Sequence, residues 1–410
     1  MRAARVPLDL PGRRIYVEWG SHAPVTPLGR LVYLSQFPAT AGLFTEWGAD
    51  CPLHYSSPNA PQKADVLGTI PPAVLAGNRR CAPVTAPRGD TVNPQGFGMS
   101  RVMSQDAVRR AFQDGPAQPL ADGQQGHPWR SVGPVLSEPW MCDPDVTVKT
   151  VYGRREGAEV GCNPHKPGRL AHAYHTFFIF RLRLALDVVV APEGTQPSLL
   201  SVAPVEPYEY VLLVTNPDWE TAGLGRLYRE RADSENTIDE LKRQWGWGGF
   251  VTRDLLRCQV AARNVALICN WWSLVVRRVE PERAREAVTS RPLRLSAIGR
   301  EVRHAGQTTV ALTSMHAEAG RVRRLLSQAS LFLSGVRNSA EPLSATECWA
   351  RIGERILRPF RVMEAASRAW FGQLARLPGW KTSLIRSDVA PNRVAEPLGT
   401  HDFCFSNCRF

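Results

Sequence analysis

The chain predicts an α/β protein, and three observations carry that reading. Residues 136 to 216 hold runs with strand character, among them FFIFRLRLALDVVVAP and YEYVLLVTN, rich in Val, Leu and Phe. Beyond residue 224, stretches such as YRERADSENTIDELK lack Pro and Gly and repeat apolar residues at helical spacing. The first 113 residues carry short apolar runs punctuated by Pro and Gly, a mostly helical region.

Composition sets the class. A chain of 410 residues, 43% apolar and 21% charged, is an ordinary soluble globular protein of two or three domains. Lys and Arg exceed Asp and Glu, 50 − 38 = +12. That excess suits a polyanion, nucleic acid first and an anionic membrane second, and also fits a merely basic protein. The opening MRAARVPLDLPGRR lacks the apolar core of a signal peptide. The most apolar helix, Val260 to Val276, contains Arg263, Asn264 and Asn270, which predicts burial in protein and no membrane span. The nine cysteines form no CxxC pair and no Cys/His cluster of zinc spacing, Cys404 and Cys408 in the tail included. They read as reduced cytosolic thiols.

Taken in order, residues 29 to 47 predict a helix interrupted at Pro38, and KADVLGTIPPAVLAGNRR a helix broken at Pro71 and Pro72. Ser104 is a good N-cap for QDAVRRAF, which carries Arg109 and Arg110. This is a DNA-binding unit or an ordinary surface helix. Residues 114–135, rich in Pro, Gly and Gln, predict a linker. EPWMCDPDVTVKTVYG, EGAEVGCNPHKPG and FFIFRLRLALDVVVAP read as three successive strands. Pro144 should perturb the first, because proline cannot donate to a ladder. GCNPHKPGRLAHAYHTFF reads as a basic loop, structural or phosphate-contacting.

The helix at 228 to 242 places Tyr228, Arg231, Glu235 and Lys242 within an arc of roughly 60°. That arc also carries core-facing apolar residues. The group is either a surface ion-pair ladder or a phosphate-processing site with Glu235 as metal ligand. Thr252 should cap the next helix, whose Trp271 and Trp272 are core or base-stacking residues. RHAGQTT has no derivable role, and RVRRLLSQASLFLSGVRNSA is a basic amphipathic helix. Residues 291–365 form a C-terminal helical region and 366–410 a tail.

The spacing of Tyr228, Arg231, Glu235 and Lys242, and the Asp143, Asp145, Thr147, Val148, Lys149 pattern, resemble DDE transposases of bacterial insertion sequences. QWGWGGFVTRDLLRCQVAARNVALICNWWSLVVRR is similar to the 1380 family of those elements. The resemblance implies a ribonuclease-H-like core over 136–290. Asp145, with Asp143 as second choice, and Glu235 would hold Mg²⁺ or Mn²⁺. Tyr228, Arg231 and Lys242 would organise phosphates, and His165, Lys166, Arg169, Arg109 and Arg110 would contact DNA. The implied partners are double-stranded DNA, both terminal inverted repeats and target, and a second copy in a homodimer. The setting is the bacterial cytoplasm, at the nucleoid. One departure stands out. The family carries its second acid and an inserted domain before the strand YEYVLLVTN. Here only Ala191 to Pro207 remain, without any aspartate. The core is therefore truncated, and cleavage should be impaired. The alternative is a catalytically inactive DNA-binding protein or a decayed remnant.

Overall fold

The N-terminal strands β1 (Val6–Leu10) and β2 (Arg13–Val17) pair as an antiparallel hairpin. The computed structural model describes residues 6–10, 13–17, 24–55, 57, 59–79, 88–133, 141–161, 163, 166–179, 182–192, 214–215, 232–247, 249, 252–280, 285–313 and 318–358. Next come β3 (Val25–Thr26), α1 (Leu31–Thr40), α2 (Leu43–Asp50), α3 (Lys63–Leu75), α4 (Gln105–Asp114) and α5 (Ala117–Val132).

Three expectations for this region need correction. Helix α1 runs through Pro38 and α3 through Pro71 and Pro72. All three prolines are buried, and hydrogen bonding resumes at once, Ala41 N to Phe37 O at 3.0 Å and Ala76 N to Pro72 O at 2.9 Å. Core packing outweighs the local cost of about 3 kcal/mol per interior proline. The third correction concerns 114–135, where a helix replaces the linker. In α5, Leu120, Ala121, Gln124, His127, Ser131 and Val132 are buried at three- and four-residue steps. The polar member Gln124 accepts at Oε1 from Trp47 Nε1 at 2.6 Å. Ser104 caps α4 as its sequence suggests, accepting from Ala107 N at 3.2 Å.

The main sheet contains β4 (Met141–Thr150), β5 (Glu159–Val160), β6 (Leu170–Ile179), β7 (Leu184–Pro192) and β8 (Val214–Thr215), all pairing antiparallel. The run FFIFRLRLALDVVVAP is therefore the end of one strand, a turn and a second strand. His172 and His175 lie buried in β6, where a loop was expected. Pro144 leaves β4 unbroken and pairs in register with Phe177. The other edge of β4 is paired, among the described residues, only at Met141 and Cys142, so no described ladder there needs a donor from Pro144.

The chain continues with α6 (Ala232–Arg243), α7 (Leu255–Val279), α8 (Ala287–Leu295), β9 (Gly299–His304), β10 (Gln307–Leu312), α9 (Ala319–Arg337) and a helix α10 at 345–358. The region expected to be helical from 291 thus includes a β-hairpin, which pairs with β3. Asp254, and not Thr252, caps α7 by accepting from Arg257 N at 2.9 Å. Thr252 Oγ1 donates to Asp254 O instead. Trp271 and Trp272 are core. Among the described residues no helix is long and apolar enough to cross a membrane.

Helix α7 lies along the free edge of β7. Gln259 accepts from Val190 N at 2.5 Å and donates to Val188 O. Arg263 grips Asp187 with two bonds of 2.9 Å. Asn270 accepts from Ala185 N at 2.8 Å and donates to Ala185 O at 2.7 Å. Residues 259 to 270 on a helix and 185 to 190 on a strand both span about 17 Å, so the polar groups stay in step. The same side chains hold α5: Arg263 donates to Ala121 O at 2.9 Å and Asn270 to Ser131 Oγ at 3.1 Å.

Two predictions follow from this packing. Asn270→Leu strands two buried main-chain groups of Ala185, and urea unfolding should show a loss of about 2–4 kcal/mol. A change below about 0.5 kcal/mol would mean that Ala185 finds other partners. In α5, burial chiefly, with Arg130 adding and Asp50 opposing, depresses the His127 pKa from 6.5 to about 4. Between those values the unfolded chain binds a proton that the folded chain refuses. Stability should fall as pH drops from 6.5 towards 4, and fall less steeply in His127→Gln when melting temperature is followed against pH.

Candidate functional site

Asp145 lies mid-strand in β4, opposite Thr176 of β6. Its backbone carbonyl accepts from Thr176 Oγ1 at 3.0 Å, and its Oδ1 accepts from Val146 N at 2.7 Å. Alternation puts Thr147 and Lys149 on the same face. Lys242 occupies the last turn of α6, half-buried. Burial lowers its pKa, the Asp145 and Asp239 carboxylates raise it, and Arg243 lowers it further. An acid and a cation far apart in sequence thus interact electrostatically, Asp145 on β4 with Lys242 on α6. Glu235 also lies in α6, and seven residues are about two turns, so the backbone sets it on the Lys242 side. Its side chain, that of Asp143, and residues Tyr228, Arg231 and His165 lie outside the described residues.

The helix is fixed by a residue that the spacing did not reveal. Glu240 is buried, and its Oε1 accepts from Trp245 Nε1 at 3.0 Å and Ala287 N at 2.9 Å. Burial raises its pKa, and these bonds and Arg183 oppose the rise. It ties α6 to the start of α8. Nothing in the sequence separates it from an ordinary surface Glu.

Lys149 was part of a motif without a role. Its ammonium is buried, 3.2 Å from Tyr174 Oη and bonded to Trp247 O. Burial lowers its pKa to about 8, with Cys258 opposing. Burial pushes the Cys258 thiol up, but bonds with His172 and Thr252 leave it below its ordinary value. His172 Nε2 is 2.9 Å from Glu156 O. This polar cluster joins β4 and β6 to the N-terminal half of α7.

Lys166 and Arg169 are exposed, as a DNA contact requires. Lys166 Nζ donates to Tyr152 Oη at 2.6 Å and stands 5.3 Å from the ring centre. Tyr152 is 62% exposed, a large aromatic that sequence reading passed over, and it offers a stacking surface beside two cations. The hydrogen bond from Lys166, its charge, and Arg169 lower the phenol pKa. Arg109 bonds along its own helix to Gln113 and Asp106, and Arg110 is exposed. Their helix is tied to α7, where Arg257 Nε donates to Phe112 O at 2.9 Å.

Among the described residues no group of three His, Cys, Asp or Glu could hold a metal ion. Around Lys242 they supply the Asp145 and Asp239 carboxylates, both acting on its ammonium. A two-ion centre needs several carboxylates to neutralise the ions, and two that the resemblance marks, Asp143 and Glu235, have side chains outside the described residues. Comparison with protein-family models, with curated proteins and with solved structures finds no match to this chain.

Because Asp145 raises the Lys242 pKa, Asp145→Asn should lower it further. Titration of isotope-labelled lysine by NMR would read the shift; an unchanged Lys242 would mean that the two groups do not interact.

Proposed function

We propose that the chain is a transposase-type protein of the insertion-sequence class, one that binds duplex DNA and whose strand cleavage and transfer are impaired. The observation that carries the reading is that the Asp145 carboxylate on β4 acts electrostatically on the Lys242 ammonium on α6. These are two of the positions the resemblance marks, and nothing in their sequence separation requires them to be close. The antiparallel run of β4, β6 and β7, with the acid on its first strand, supports a truncated ribonuclease-H-like core. The exposed cluster of Lys166, Arg169 and Tyr152 supports contact with DNA. In this reading the cations hold backbone phosphates and fix orientation without reading sequence. Mg²⁺ or Mn²⁺ would be held by Asp145 and Glu235, and a homodimer would bring two element ends together. No step is routed through a metal. The absence of any aspartate from Ala191 to Pro207, where the resemblance expects its second acid, favours a protein that binds and does not cut.

The test is a labelled duplex carrying an element end, incubated with Mg²⁺ or Mn²⁺ and the wild type or Glu235→Ala. We expect binding that weakens steeply with salt, and no nicking. Nicking that disappears in Glu235→Ala would restore a competent transposase. Absence of salt-dependent binding would sink the reading altogether.

A further inference from the structure

Strands β9 and β10 form an antiparallel ribbon closed by Ala305 and Gly306, at φ 48° and 76°, with β3 added as a third strand only at its base, beside Gly299 and Arg300. Positive φ at both positions is the tight I′ geometry that matches strand twist. In the register, Arg300 faces Ala311, Val302 faces Thr309 and His304 faces Gln307. Alternation puts these six side chains on one face, and all six are exposed.

On the opposite face the acid Glu301 is anchored to the body, whereas Arg303 and Thr308 are exposed. Glu301 is 7% exposed, accepts from Gln95 Nε2 at 3.0 Å and is paired with Arg303. Glu301 is also the ribbon's one acid. Its charge is turned inward and met by a cation. The open face therefore carries Arg, His, Gln and Thr with no carboxylate, on a chain of net charge +12.

We propose that this open face of the β9–β10 ribbon enters the major groove of duplex DNA and reads base edges. The fit is dimensional and chemical. Beyond Arg300 the ribbon is two strands wide, about 5 Å apart, and with their side chains these match a groove about 12 Å wide that admits a two-stranded ribbon. Arg300 and Gln307 carry the paired donors and acceptors that distinguish guanine and adenine, and Thr309, Val302 and Ala311 offer methyl groups to thymine. An acid on this face would repel phosphates, and none is present. The inference rests on the reading that the chain binds DNA, and not on its cutting DNA.

The experiment enriches the full-length protein's preferred sites from a randomised duplex pool, for the wild type, Arg300→Ala, Gln307→Ala and, on the opposite face, Arg303→Ala. The wild type should enrich a defined motif. Arg300→Ala and Gln307→Ala should each lose preference at one or two base pairs by roughly tenfold, with binding to non-cognate duplex held within about threefold. Arg303→Ala should keep the motif. Unchanged motifs in the first two variants overturn the proposal. So does a change in oligomeric state with selection intact, which would make the face a contact between copies. Wild-type binding without any motif overturns the ribbon alone, whereas no duplex binding at all overturns the underlying reading as well.

Discussion

The fold depends on how one helix satisfies the edge of one strand. A free strand edge presents unpaired N–H and C=O groups, and burying them unmet costs about 1–3 kcal/mol each. Helix α7 meets them with Gln259 and Asn270, and holds Asp187 with Arg263 between. The matched rise of helix and strand makes this possible, across the register shift that β7 takes between Ala185 and Asp187. Because Arg263 and Asn270 also bond to α5, the sheet and the N-terminal helices share one support. The Arg and Asn residues that argue against a membrane span therefore have a structural task. They supply the hydrogen bonds that a purely apolar helix could not.

The candidate site inherits that rigidity. β4 is held by β6 along most of its length, and Lys149, Tyr174 and His172 bind this pair to the start of α7. α6 is set by Glu240, whose bonds reach Trp245 and the first residue of α8. Asp145 acts on Lys242 from a separately braced element. Electrostatics works in one direction here. Burial disfavours the Lys242 charge, and Asp145 restores part of it. A cation kept charged by a carboxylate is suited to holding phosphate, and the same cation competes with any metal ion for that carboxylate.

How much was legible in the sequence follows from which residues announce their surroundings. The α7 pattern, the core tryptophans and the Ser104 cap were readable, because apolar period and capping chemistry are local signals. Helix α5 was not: Pro, Gly and Gln hide its buried stripe, and Gln124 is tolerable inside only because Trp47, far away in the chain, donates to it. Pro38, Pro71 and Pro72 misled for the same reason, since local cost was visible and packing was not. His172 and His175 looked like loop residues because polar groups on a buried strand need partners that sequence does not display. At the site, the helix that carries Glu235 and Lys242 was readable from its composition, whereas Glu240 and Tyr152 had no distinguishing pattern. RHAGQTT carried no message until the register showed which side chains share the open face.

The α7–β7 bond also sets a clock for synthesis. Ala185 and Asn270 are separated by 85 residues, so β7 leaves the ribosome well before its edge can be covered. At about 5–20 residues per second, the exposed interval lasts roughly 4–17 s. During that time an apolar strand carries an unmet edge, the template on which nascent chains join one another. Newly made protein would be most at risk of aggregation in this window, and cooler growth, which slows elongation, would widen it.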